Sequence, residues 1–133
     1  MHITYFKQHQ QEPATPTDVP ELLKGDEGVL WLDIDSSNES ELHFIKETFA
    51  LHPLTLEDLK HQEQRPKAEE FTDYLFVILN PIGSIADEMM FRELGLFIGK
   101  NYVITAHATT EPILDEVKKR LEPDRIVLTL SPT

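Results

Sequence analysis

Residues Tyr74-Leu75-Phe76-Val77-Ile78-Leu79 are apolar without interruption. The run has the length of a strand and falls far short of the roughly 20 residues a membrane-spanning helix needs. A strand with no polar face is buried on both sides. Val29-Leu30-Trp31-Leu32-Asp33-Ile34 almost repeats the pattern. Strands of this kind require helices above and below one sheet. Met90–Gly99 and Tyr102–His107 flank a Gly99-Lys100-Asn101 turn and read as a hairpin, which makes the sheet mixed rather than parallel. The predicted fold class is therefore α+β, a three-layer α/β/α sandwich with a central mixed sheet. With 133 residues, 40% of them hydrophobic, residues 1–133 form one domain with a real core.

Helical periods fill the intervals. Leu42, Ile45 and Phe49 recur at i, i+3 and i+7, so Ser37–Phe49 reads as an amphipathic helix, with Ser36, Ser37 and Asn38 offering caps and Ser36 and Glu39 in capping-box spacing. His52-Pro53 stops it and opens another helix, since proline costs nothing in a first turn. Leu56 and Leu59 form the inner side of that second helix, and Arg65-Pro66 ends it. Gln8–Pro20 reads as a loop around Pro13, Pro16 and Pro20, followed by one helical turn over Val19–Lys24. Thr110 caps a last helix with Ile113, Val117 and Leu121 as its stripe, and Arg125–Leu130 reads as a strand or the start of a further helix.

Charge and motif content exclude several functions. The chain carries 24 acidic against 12 basic residues, a net charge of −12. Such a surface repels nucleic acid and anionic lipid and attracts cations. It has no cysteine, hence no disulfide framework or thiolate zinc site. Met1–Phe6 lacks the basic start and apolar core of a signal peptide. Gly95-Leu96-Phe97-Ile98-Gly99-Lys100-Asn101 has the wrong spacing and too little polarity for a phosphate loop. No Gly-x-Ser-x-Gly elbow or other catalytic constellation occurs, so the chain does not read as an enzyme.

Glu57-Asp58 is the metal-binding candidate. Neighbouring helical side chains diverge by about 100°, so the pair offers one carboxylate to a cation and one to a hydrogen-bond partner or bound water. Such residues also commonly form a solvated helix surface. The six histidines lack ligand spacing. His52 and His61 flank the acidic pair and suggest zinc or nickel, with helix capping as the plainer role. Gln64-Arg65-Pro66-Lys67 reads as a structural stop whose cations pair with Glu57, Asp58, Glu69 or Glu70.

Trp31-Leu32-Asp33-Ile34, Leu51-His52-Pro53-Leu54 with Glu57-Asp58, Gln64-Arg65-Pro66-Lys67 and Asp73-Tyr74-Leu75-Phe76-Val77 occur in an order and spacing that resemble the N-terminal cytosolic domain of CorA-type divalent-cation transporters. The resemblance covers about Leu30 to Leu121. It implies a homopentameric magnesium transporter, also of cobalt or nickel, in the bacterial inner membrane, with this domain cytoplasmic. It places regulatory magnesium at Asp58, beside Glu57, between neighbouring subunits, and gives His52, Pro53, Arg65, Pro66 and Lys67 structural or gating roles. The family's Gly-Met-Asn pore motif, two membrane helices and long stalk helix do not occur in these residues, so contact with the membrane and half of the regulatory site are expected from elsewhere in a longer protein. A zinc-transporting relative and a stand-alone acidic protein-binding module are the alternatives, and a small hydrolase ranks last.

Overall fold

The computed structural model describes residues 1–25, 27–60, 66–79 and 93–108. Seven strands and three α-helices are found there: β1 (His2–Lys7), β2 (Gln10–Pro13), α1 (Val19–Lys24), β3 (Val29–Asp35), α2 (Glu39–Phe49), α3 (Pro53–Lys60), β4 (Lys67–Glu70), β5 (Tyr74–Leu79), β6 (Leu94–Gly99) and β7 (Tyr102–His107), with a 3₁₀ turn at Pro16–Asp18. All seven strands join one sheet in the order β2-β1-β3-β7-β6-β5-β4. β3 and β7 run parallel, and the other neighbouring pairs run antiparallel. The sheet is thus mixed, as the hairpin required.

Strand alternation sorts the side chains between the faces. Ile3, Tyr5, Leu30, Leu32, Ile34, Tyr74, Phe76, Ile78, Phe97, Tyr102, Ile104 and Ala106 share one core with Val19 of α1, Leu42, Ile45 and Phe49 of α2, and Leu56 and Leu59 of α3. All three described helices therefore lie on this face. The opposite face holds Phe6, Trp31 and Leu94 with Leu96 against them. On that side Leu75 and Val77 of β5 are only half-buried. The helix expected over Thr110–Leu121 and the element over Arg125–Leu130 lie outside the described residues.

The N-terminal segment corrects the sequence reading. Gln8–Pro20 is not a loop throughout, because β2 pairs with β1 from Lys7↔Gln10 to Thr4↔Pro13. Gln8 and His9 turn the hairpin with φ of 46° and 65°. This is the left-handed region that glycine and asparagine favour, so the usual turn signal was absent. All four β2 residues are exposed, so no apolar alternation marked the strand either.

Of the three caps the sequence offers, Asn38 is the one used at α2 rather than the Ser36–Glu39 box, its Oδ1 accepting from the Glu41 N–H at 3.2 Å. Asp35 Oδ1 instead accepts from the Ser37 N–H at 2.9 Å and from its hydroxyl at 2.6 Å. Those bonds hold the Asp35 carboxyl below its ordinary range. Ala50 ends α2 in the left-handed conformation, with its N–H on the Lys46 carbonyl.

Close backbone approaches fix the helix layer. A Cβ on Gly95 would lie 2.3 Å from Leu59 Cδ2, so α3 rests directly on β6. The predicted β6–β7 turn is present, and Asn101 Nδ2 donates to the Leu23 carbonyl at 2.9 Å, tying it to the end of α1. β6 begins at Leu94, and Met90 lies outside the described residues.

Candidate functional site at helix α3 and strand β4

The site is built around α3. His52 precedes it, and its Nδ1 accepts from the Leu54 N–H at 3.1 Å. The Thr55 hydroxyl donates to the His52 carbonyl at 2.6 Å. The His52 N–H donates to the Tyr74 hydroxyl at 2.8 Å. The histidine therefore acts as the helix cap, and Tyr74 anchors it to β5. Phe71, in the turn between β4 and β5, lies with its ring centroid 5.7 Å from that of His52 and 4.8 Å from that of Tyr74. With Nδ1 engaged by the backbone, His52 offers little to the zinc or nickel alternative. Its suggested partner His61 lies outside the described residues.

Leu56 and Leu59 enter the core at 6% and 7% exposure, as the periodicity predicted. Glu57 is exposed and Asp58 half-buried. The adjacent carboxylates thus separate around the helix as their spacing requires.

Asp58 already holds a cation. Lys67 Nζ lies 2.5 Å from Asp58 Oδ2 and 3.1 Å from Glu69 Oε1. Lys67 stands opposite Ile78, and Glu69 opposite Phe76, in the β4–β5 ladder. Ile78 and Phe76 belong to the helix-side core, so both β4 side chains project toward α3. The hydrogen bond to Asp58, with a smaller contribution from Glu69, raises the ammonium's pKa. Lys60 Nζ meets Glu39 Oε1 at 3.3 Å and ties the end of α3 to the start of α2. Pairing of the Gln64–Lys67 cations with Asp58 and Glu69 was legible in the sequence, and Lys67 provides it. Arg65 lies outside the described residues, and Pro66 is the exposed residue just before β4.

Among the described residues, no group of three or more His, Cys, Asp or Glu side chains could hold a metal ion. A single carboxylate bound to an ammonium, with its sequence neighbour turned away, does not fit an ion that wants an oxygen shell. Also among the described residues, no helix is long and apolar enough to cross a membrane.

A polar network on the other face was not anticipated. Trp31 Nε1 donates to Thr105 Oγ1 at 3.0 Å, and that hydroxyl donates to Asp33 Oδ1 at 2.8 Å. His107 Nε2 sits 2.7 Å from the same carboxylate oxygen. The available signal was Asp33 itself, a charge inside the otherwise apolar run Val29–Ile34.

Comparison with known proteins agrees with this architecture. The chain is 36% identical over 84 residues to the magnesium transporter ALR2 of Saccharomyces cerevisiae, a stretch covering 56% of this chain and 10% of that protein. It shares its fold with the soluble domain of CorA from Methanocaldococcus jannaschii, with a TM-score of 0.70, 16% identity, and coverage of 96% of this chain and 50% of that one. The ZntB cytoplasmic domain from Vibrio parahaemolyticus has the same fold, with a TM-score of 0.72, 12% identity, and coverage of 98% and 54%. The chain thus spans a tenth of that relative's length and about half of either solved chain. The family of CorA-like Mg2+ transporter proteins matches residues 26–131, and the chain belongs to that family.

Proposed function

We propose that residues 1–133 are the cytoplasmic N-terminal domain of a longer, non-enzymatic divalent-cation transporter of the bacterial inner membrane. Its cargo is magnesium, with cobalt or nickel as secondary ions. In this reading the full-length protein is a homopentamer, and the domain senses the internal cation and biases the gate. The observation that carries the reading is the placement of Asp58. It stands half-buried on α3, beside exposed Glu57, and shares the Lys67 ammonium with Glu69, so the described residues supply too few ligands for a complete cation shell. A partner subunit's oxygen ligand would complete it. A cation that binds better between closed subunits than between open ones shifts the population toward closure.

The test uses the full-length protein. Flux is measured across a range of internal magnesium for wild type and Asp58→Ala. The substituted channel should need more magnesium to close and should keep its ion selectivity, which this reading assigns to the pore. Closure at the wild-type concentration would remove Asp58 from sensing. A zinc-transporting function draws only on fold likeness to the Vibrio domain, so no observation on this chain favours it.

A further inference from the structure

We infer that His52 is a proton-sensitive cap, so that protonation of its imidazole releases the first turn of α3. The inference stands on the cap geometry and needs no bound cation. A backbone N–H can only donate, so the His52 Nδ1 that Leu54 meets at 3.1 Å is the unprotonated ring nitrogen. The neutral ring therefore carries its hydrogen on Nε2, and a second proton must go to Nδ1. Two N–H donors would then point at each other. The ring must turn away, and the Leu54 N–H loses its partner.

Charge acts in the same direction. His52 precedes the positive end of the α3 dipole, where a cation is unfavourable. The first turn of α3 holds no acidic residue to offset it. The titratable groups on the surrounding elements are Lys46 and Glu47 at the end of α2, Asp73 in the β4–β5 turn, the Tyr74 phenol of β5, and Glu57 and Asp58 in the second turn of α3. Among the described residues none of them forms an ion pair with His52. Phe71 offers a protonated ring only a weak cation–π contact, tilted at 39° with its centroid 5.7 Å away.

The response is local. The His52 N–H donates to the Tyr74 hydroxyl, and its carbonyl accepts from the Thr55 hydroxyl at 2.6 Å and from the Thr55 N–H at 3.0 Å. None of these bonds needs a neutral ring, so the backbone at His52 stays anchored. Leu56 and Leu59 stay in the core. His52 and Leu54 are both exposed, so a proton reaches the ring and water reaches the freed N–H without unfolding. The cap contributes where the imidazole is neutral and is lost as pH falls.

The test is a titration of the 133-residue chain from about pH 8 to about pH 5, the interval in which an imidazole changes charge. NMR follows the ring nitrogens and the backbone amides. At the upper end His52 should carry its hydrogen on Nε2. The Leu54 amide resonance should move with the His52 ring on one curve. Its hydrogen exchange, corrected for the intrinsic pH dependence, should quicken about fivefold, the factor a typical cap carries. The Leu59 amide should stay protected. His52→Asn, which caps without titrating, should keep Leu54 protected throughout, and His52→Ala should expose it at both ends. A Leu54 amide that ignores the ring's titration overturns the inference, as does an acid response that survives in His52→Asn. The wild-type titration decides the matter even where a variant fails to fold.

Discussion

At the scale of single residues, α3 separates its buried side chains from its exposed ones by face. Leu56 and Leu59 are buried against the sheet, and Glu57 faces solvent. Leu56→Ala or Leu59→Ala should cost about 2–5 kcal/mol, whereas Glu57→Ala should stay within about 0.5 kcal/mol. Denaturant midpoints of the three variants give the order, and a Glu57 loss as large as the leucine losses would mean the helix packs by another face. Tyr102 makes a second residue-scale prediction. Burial lifts its phenol from an ordinary 10.0 to about 12. The folded pKa lies above the unfolded one, so this contribution is fully present below pH 10 and is lost as pH rises toward 12. Phenolate absorbance should show this tyrosine ionising late, near alkaline unfolding. Asp35 works in the opposite direction. Its depressed carboxyl stabilises the fold above the ordinary aspartate range, and that contribution disappears as pH falls through the folded value.

At the scale of elements, legibility followed hydrophobic pattern. The central strands β3, β5 and β7, with α2 and α3, were readable because each buries a period of apolar side chains. Strand β2 was not, because it is held by backbone pairing alone and all its side chains are exposed. β4 was equally silent, since Lys67-Ala68-Glu69-Glu70 has no apolar alternation. At the candidate site, chain order brought Asp58 and Lys67 to notice. Their pairing was among those the sequence offered, but what selects it, β4 pairing with β5 in a register that turns Lys67 toward α3, has no local signal. The β1–β2 turn gives the element-scale prediction. Replacing Gln8-His9 by Asn-Gly should relieve the left-handed strain and stabilise the protein by about 1 kcal/mol. A higher thermal midpoint checks this, and an unchanged one would mean the turn is not strained.

At the scale of the whole molecule, charge opposes self-association. Each copy carries −12, and like-charged copies repel at low salt. Light scattering of the 133-residue chain at micromolar concentration should therefore report a monomer, and a stable pentamer would contradict this. Magnesium should raise the thermal midpoint of the isolated chain only slightly. Stabilisation grows only once ligand exceeds its dissociation constant, and the described residues supply no complete site. A large, saturable shift at low millimolar magnesium would show that one chain suffices.

The two rims of the sheet have a consequence for how copies of this molecule meet. One rim, β2, runs Gln10-Gln11-Glu12-Pro13, and the other, β4, runs Lys67-Ala68-Glu69-Glu70. Proline withholds a donor, and ionised side chains resist being zipped against another strand. Neighbouring copies are thereby discouraged from stitching their sheets into one continuous ribbon. Among the described residues, that leaves the helix-bearing face and the loops as the surfaces through which copies could meet.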